Sequence, residues 1–160
     1  MRGVTKQGMH LKQESLNDIL EHLYRVMDEE GPFDGVLGYS EGSLVAATLL
    51  LDEKRRFLAT GRPPQLKCAV FFNGWPPMIS EQKGLLLADE SPEVIDVFTC
   101  HILGSKDPWV QASVCLYNVC NKEKSYLFDH GGGHTVPRDL QTIHELGDVI
   151  RDMVKQVEAL

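Results

Sequence analysis

Gly35-Val36-Leu37-Gly38-Tyr39-Ser40-Glu41-Gly42-Ser43-Leu44-Val45-Ala46-Ala47 decides how this chain is read. A short apolar run (Val36, Leu37) enters a Gly-Tyr-Ser-Glu-Gly turn, and a long apolar run with helical character leaves it. That is the G-x-S-x-G pattern between a strand and a helix. A serine on so sharp a turn needs a strained backbone. The residues two before and two after it should have almost no side chain, because strand and helix pass close together; Gly38 and Gly42 meet that need. The turn pushes the Ser40 hydroxyl out at the carboxyl end of the strand. The first N–H groups of the helix, and its dipole, then face any negative charge forming nearby. An ordinary glycine-rich turn would also fit a bare G-x-S-x-G. The strand before and the apolar helix after favour Ser40 as a nucleophile.

Outward from this turn, strands and helices alternate. Residues 1–14 have no clear period and read as a loose leader to a domain over 15–160. Ser15 opens a helix, with Asp18 three residues on as a weak capping box. Leu16, Ile19, Leu20, Leu23, Val26 and Met27 recur at helical spacing until Gly31-Pro32 stops it. After Ser40 a helix runs from about 43 to 58. Its first half is apolar on nearly every side and so buried; its second half, 52–56, is charged and should emerge into solvent. Residues 66–72 form a near-continuous apolar run, as in a strand buried on both faces of a parallel sheet. Residues 78–92 look like an irregular excursion over the sheet edge. A third strand is expected at 97–103, and a helix at 109–120 with Val110, Val114, Leu116, Tyr117 and Val119 inward. A fourth strand at 124–128 and a glycine-rich loop at 129–137 follow. The final helix shows Leu140, Ile143, Leu146, Ile150, Met153, Val154 and Val157 on its face. The implied fold is α/β: a mostly parallel sheet of about four strands with helices on both faces. Right-handed crossovers bring all four strand ends to one edge, where such sheets carry their sites.

Composition narrows the function. The 160 residues carry a net charge of −7, with no basic cluster to attract nucleic acid or an anionic membrane. No apolar run approaches the roughly 20 residues of a membrane span. Cys68, Cys100, Cys115 and Cys120 show neither C-x-x-C spacing nor histidines at zinc-site offsets, so no metal or cofactor is implied. Cys68 and Cys100 read as small buried hydrophobes. A reducing, cytoplasmic setting is the simplest expectation.

Three strand ends carry residues for acyl chemistry: Ser40 after the first, Asp107 after the third, His134 after the fourth. A serine hydroxyl needs a base within hydrogen-bond reach, and His134 would take that proton and later return it to a leaving group. Asp107 would fix the imidazole tautomer and stabilise its cation. The glycines at 131–133 would let the histidine loop fold over the serine, since they tolerate positive φ. His130 and Asp129 are the nearest rivals for base and acid. His10, His22, His101 and His144 read as surface or core residues. The backbone N–H of Glu41 is a candidate oxyanion donor. Trp75 and Trp109, each just past a strand, are candidates to line an acyl pocket, though aromatic loop packing would explain them equally well.

Four linked segments resemble the fungal-type serine hydrolase family of the α/β-hydrolase superfamily. They are Gly31-Pro32-Phe33-Asp34-Gly35-Val36-Leu37-Gly38-Tyr39-Ser40-Glu41-Gly42, Ala69-Val70-Phe71-Phe72-Asn73-Gly74-Trp75-Pro76-Pro77, His101-Ile102-Leu103-Gly104-Ser105-Lys106-Asp107-Pro108 and Gly132-Gly133-His134-Thr135-Val136-Pro137. The order Ser, Asp, His along the chain is also that of this superfamily. The resemblance implies Ser40 as nucleophile, Asp107 as acid and His134 as base, and a small-molecule acyl ester as substrate. Its Ser-Glu-Gly elbow is similar to that of polyketide-pathway thioesterases, which implies thioesters, including carrier-protein-bound ones of secondary metabolism, as further substrates. Family members place a strand with a His-Gly segment, a helix and another strand before the helix at 15–30. Residues 1–14 are too few to hold them. The strand at 34–39 is therefore expected as a bare sheet edge, which a homodimer would pair, and the second oxyanion donor is expected to be missing. A shortened sequence would account for the same gap, and the alternative function is a catalytically impaired, hydrolase-like binding protein.

Overall fold

The computed structural model describes residues 13–79, 84–89 and 94–159. In chain order the elements are α1 (Gln13–Glu30), β1 (Gly35–Tyr39), α2 (Glu41–Thr60), β2 (Cys68–Phe72), β3 (Met78–Ile79), β4 (Gly84–Leu85), β5 (Phe98–Leu103), α3 (Val110–Val119), a 3₁₀ turn (Lys122–Lys124), β6 (Ser125–Asp129) and α4 (Leu140–Glu158). Four strands form one parallel sheet in the order β1-β2-β5-β6; β3 and β4 form a separate antiparallel pair.

The register places the site. Tyr39 stands opposite Phe72, Phe72 opposite Ile102, and Leu103 opposite Asp129. The residues that follow, Ser40, Asn73, Gly104 and His130, therefore emerge together at one edge. Two apolar layers hold this sheet. On one face, Leu16, Leu20 and Met27 of α1, Leu44 and Leu49 of α2, Phe71 of β2 and Leu116 of α3 make one core. On the other, Phe72, Cys100 and Ile102 pack against Leu146 and Met153 of α4. Burying each such side chain contributes about 1.5–3 kcal/mol. Across α1 and α2, Tyr24 donates to Asp52 (2.9 Å) and Arg56 pairs with Glu21 (2.5 Å).

Several expectations are corrected here. The first helix already contains Gln13, so Ser15 lies inside it and does not cap it; residues 1–12 of the expected leader lie outside the described residues. The charged half of α2 is not simply solvated. Glu53 is buried and accepts the N–H groups of Gln65 (2.8 Å) and Leu66 (3.3 Å), anchoring the approach to β2. Burial pushes its carboxyl above the usual range, against the pull of those two donors. Within residues 78–92 the β3–β4 pair replaces irregular chain. Cys68 is only half-buried. Val114 on α3 is exposed, as are Leu140, Ile143 and Val154 on α4. The buried stripe of α4 is Leu146, Met153 and Val157, with Ile150 half-buried beside it. At 3.6 residues per turn the other three fall on its flank.

β1 ends the sheet, as expected for 34–39. Among the described residues no strand pairs with its outer side, and Leu37 is 63% exposed.

Candidate active site

Ser40 sits between the end of β1 and the start of α2 with φ 53° and ψ −122°. A positive φ at a non-glycine residue is strained, and such strain persists only where the surrounding structure holds it, which makes Ser40 a candidate functional position. Two bonds hold it. The Ser40 N–H donates to the Phe72 carbonyl (2.9 Å), and the Ser40 carbonyl accepts the Ser43 N–H (3.0 Å). Gly38 is required by contact: a Cβ there would lie 2.5 Å from Ser43 Cα and 2.6 Å from the Gly42 carbonyl oxygen. Gly42 is not. A Cβ there meets nothing within 4 Å, so the expected crowding exists on the strand side of the turn and is absent on the helix side.

His134 bridges the other two residues. Its Nε2 is 2.9 Å from Ser40 Oγ and its Nδ1 is 2.7 Å from Asp107 Oδ2. With Nδ1–H donating to the carboxylate, Nε2 has a lone pair to accept the serine proton. Asp107 is almost fully buried, which by itself would raise its pKa. The Trp109 N–H (2.8 Å to Oδ1), His134 and the Asn73 amide (2.7 Å to Oδ2) outweigh burial and hold it below the usual carboxylate range. The acid therefore stays ionised at neutral pH.

The loops carrying acid and base are locked together. A Cβ on Gly104 would lie 2.3 Å from the Gly132 carbonyl oxygen, and that carbonyl accepts the Lys106 N–H (2.9 Å). Of the three glycines at 131–133, only Gly131 uses a positive φ (68°). Asp129 is a loop staple rather than a partner of the imidazole. It accepts from the Ser105 N–H (2.9 Å) and the Gly131 N–H (2.8 Å). His130 turns inward, its Nδ1 accepting the Gly132 N–H (3.3 Å). His101 lies on β5 against Phe71 and Tyr117, with Nε2 3.0 Å from Thr99 Oγ1. Burial, with Lys122 nearby, lowers its pKa to about 3, so it is a neutral core histidine. Burial pushes the Cys100 and Cys120 thiols up to about 12, far from a reactive thiolate.

Ser40 and His134 open on a cleft of about 370 Å³ that Tyr39, Glu41, Trp75 and Trp109 complete. The two indoles lie 5.5 Å apart at 43°. Glu41 is the first residue of α2, so its N–H belongs to the group of donors that a helix leaves without intrahelical partners. Two contacts go beyond the sequence pattern. Tyr39 Oη donates to the His134 carbonyl (3.0 Å), tying the elbow to the histidine loop. Asn73 holds the acid; in the sequence it reads only as a strand breaker before Gly74, and its position just past the central β2 is the sole signal.

Residues 4–146 match the serine hydrolase family described as "Serine hydrolase (FSH1)". The chain belongs to that family. It is 33% identical over 147 residues to "Esterase FPY3" of Fusarium mangiferae, covering 88% of this chain and 65% of that protein. It is 32% identical over 152 residues to "Hydrolase phiM" of Talaromyces stipitatus, covering 88% of this chain and 58% of that protein. The chain thus spans about 60% of the length of these relatives. Among solved structures, mouse "Alpha/beta hydrolase domain-containing protein 10" superposes with a TM-score of 0.61 at 13% identity, over 89% of this chain and 70% of that one. A protein of Agrobacterium vitis gives 0.60 at 17% identity, over 86% and 68%. The fold is that of the α/β hydrolases.

Proposed function

We propose that this protein hydrolyses carboxylic esters or thioesters through an acyl-enzyme. The observation that carries this is the chain Ser40 Oγ, His134, Asp107 at 2.9 and 2.7 Å, beginning on a strained strand-to-helix turn. Ser40 Oγ attacks the acyl carbon while His134 Nε2 takes its proton. The negative oxygen that forms faces the N-terminus of α2, where the Glu41 N–H donates. Collapse breaks the bond to the alcohol or thiol, which leaves with the proton from His134. Water attacks the acyl-Ser40 ester by the same route and regenerates the enzyme. Asp107 stays an anion throughout and holds the imidazole in the productive tautomer. Trp75 and Trp109 offer an apolar wall to the acyl chain. Similarity to fungal proteins named esterase and hydrolase supports acyl substrates. Thioesters, among them acyl chains of secondary metabolism on a carrier protein, fit the same chemistry. Four free thiols suit a reducing, cytoplasmic setting.

A fluorophosphonate probe tests this. It should form a covalent adduct at Ser40, located by peptide mass spectrometry, and Ser40→Ala should take up none and turn over no aryl ester. A folded parent that takes up no probe would sink the proposal. Equal turnover by parent and Ser40→Ala would favour the hydrolase-like binding protein instead.

The bare side of β1 favours a second element of the proposal. Leu37 is 63% and Tyr39 41% exposed on an apolar strand with an unpaired edge among the described residues. Working proteins blunt such edges or cover them. A second copy pairing through residues 34–39 would cover it. Light scattering at micromolar concentration should then report a dimer, and a clean monomer excludes this arrangement.

A further inference from the structure

The geometry points to Asn73 as the residue that positions the acid and the histidine loop of the site at once. This rests on the acyl-transfer proposal above and adds a residue to its machinery. Asn73 follows β2 directly, and its N–H still donates to the Ile102 carbonyl (2.8 Å), so the ladder between β2 and β5 extends to it. Its φ is 46°, a left-handed conformation that asparagine tolerates better than most residues. That twist accompanies a buried amide, 1% exposed, that reaches both loops. One amide group, Nδ2, lies 2.7 Å from Asp107 Oδ2 and 3.4 Å from the Gly133 carbonyl. Its two hydrogens match two acceptors from two different loops.

The orientation of this amide is forced. Reversed, it would turn Oδ1 toward a carboxylate and a carbonyl, neither of which can donate. As placed, Oδ1 has no donor among the described residues. Buried polar atoms rarely stay unpaired without a compensating role. Here the compensation is the grip on Asp107 Oδ2, the same oxygen that receives His134 Nδ1–H. Asn73 thereby aims that oxygen at the imidazole and takes part of its charge. Through Gly133 it also steadies the residue next to His134. Its side chain bonds Asp107 and Gly133 and is not among the residues that line the cleft, so it acts through the acid and the base.

The experiment compares fluorophosphonate labelling rates across pH for parent, Ser40→Ala, Asn73→Gly and Asn73→Asp. Asn73→Gly keeps the left-handed backbone at little cost and deletes the amide. It should label about 10- to 100-fold more slowly than the parent, the range expected for losing one hydrogen bond to a charged group. The acid limb of its pH profile should move to higher pH, because an acid with one donor fewer holds the imidazolium more tightly. Asn73→Asp keeps the shape and puts a second carboxyl beside Asp107, so its limb should move further the same way. A purely structural role would lower the melting temperature and leave the limb in place. Parent-like rate and limb in Asn73→Gly, with Ser40→Ala unlabelled, would overturn the role of Asn73 and leave the triad standing. If Asn73→Gly does not fold, the same result in the isosteric Asn73→Asp overturns it. A parent that takes up no probe would remove the acyl-transfer proposal and this one together.

Discussion

The two sides of Ser40 are built differently. On the side of His134, polar groups from three loops cross and brace one another. Asp107 accepts from Trp109, Asn73 and His134, and Gly104 lets the acid turn touch the histidine loop at Gly132. Along the outer edge of β1 and at the first turn of α2, the chain is open. Nothing lies within 4 Å of a Cβ on Gly42, Tyr39 is 41% exposed and Leu37 63%. The proposed proton path thus runs through loops that meet at one sheet edge and brace each other. In the proposed reaction, stabilisation of the oxyanion would rest on the N-terminus of α2 and on whatever borders the open side in the working molecule. The contrast separates two requirements that serine hydrolases usually satisfy together: positioning the base and receiving the negative charge.

The crowded side should break hardest. Asp107→Asn offers one acceptor oxygen where three donors converge. Whichever way the amide sits, an N–H₂ meets either the Trp109 N–H or the pair from Asn73 and His134. The imidazole is then driven toward the tautomer whose Nε2 carries a proton and cannot accept from Ser40. Turnover of an aryl ester should fall by about 10⁴-fold, the scale known for this change in a serine triad. Circular dichroism should still report folded protein. A loss of less than tenfold would mean that Asp107 is not the acid.

Much of this was legible in the sequence because each signal was local. The elbow, the apolar strand runs and the turn after each strand sit within a few residues of one another, and the alternating order fixes a parallel sheet. Ser40, Asp107 and His134 could be picked as residues just past strands, and the structure brings those three within hydrogen-bond reach. What was not legible depends on distant partners. Asn73 differs from any turn asparagine only by what lies 34 and 60 residues away. Glu53 reads as a surface charge until the approach to β2 supplies its two N–H groups. The apolar residues of α4 mark a wide stripe, and only the position of β5 and β6 decides that Met153 is buried while Leu140 is exposed. The glycines at 38 and 42 look equivalent in the motif and are not equivalent in space.

That inequality supplies a sharper test of the comparison. Gly38→Ala places a methyl against backbone atoms of Ser43 and Gly42 that cannot move without separating β1 from α2. It should cost about 3 kcal/mol or more in urea unfolding, at or beyond the upper end for overpacking, because the clash is with backbone and not with a side chain that can turn away. Gly42→Ala puts the same methyl into open space in the first turn of α2. It should leave stability unchanged or raise it by up to about 1 kcal/mol, since alanine is the better helix former. Its probe-labelling rate should stay within about twofold of the parent, because one hindered hydrogen bond would cost more than that. A stable Gly42→Ala that labels tenfold more slowly would show the opposite. The space beside Gly42 would then be filled when Ser40 reacts, and the open side would be open only in the chain described alone.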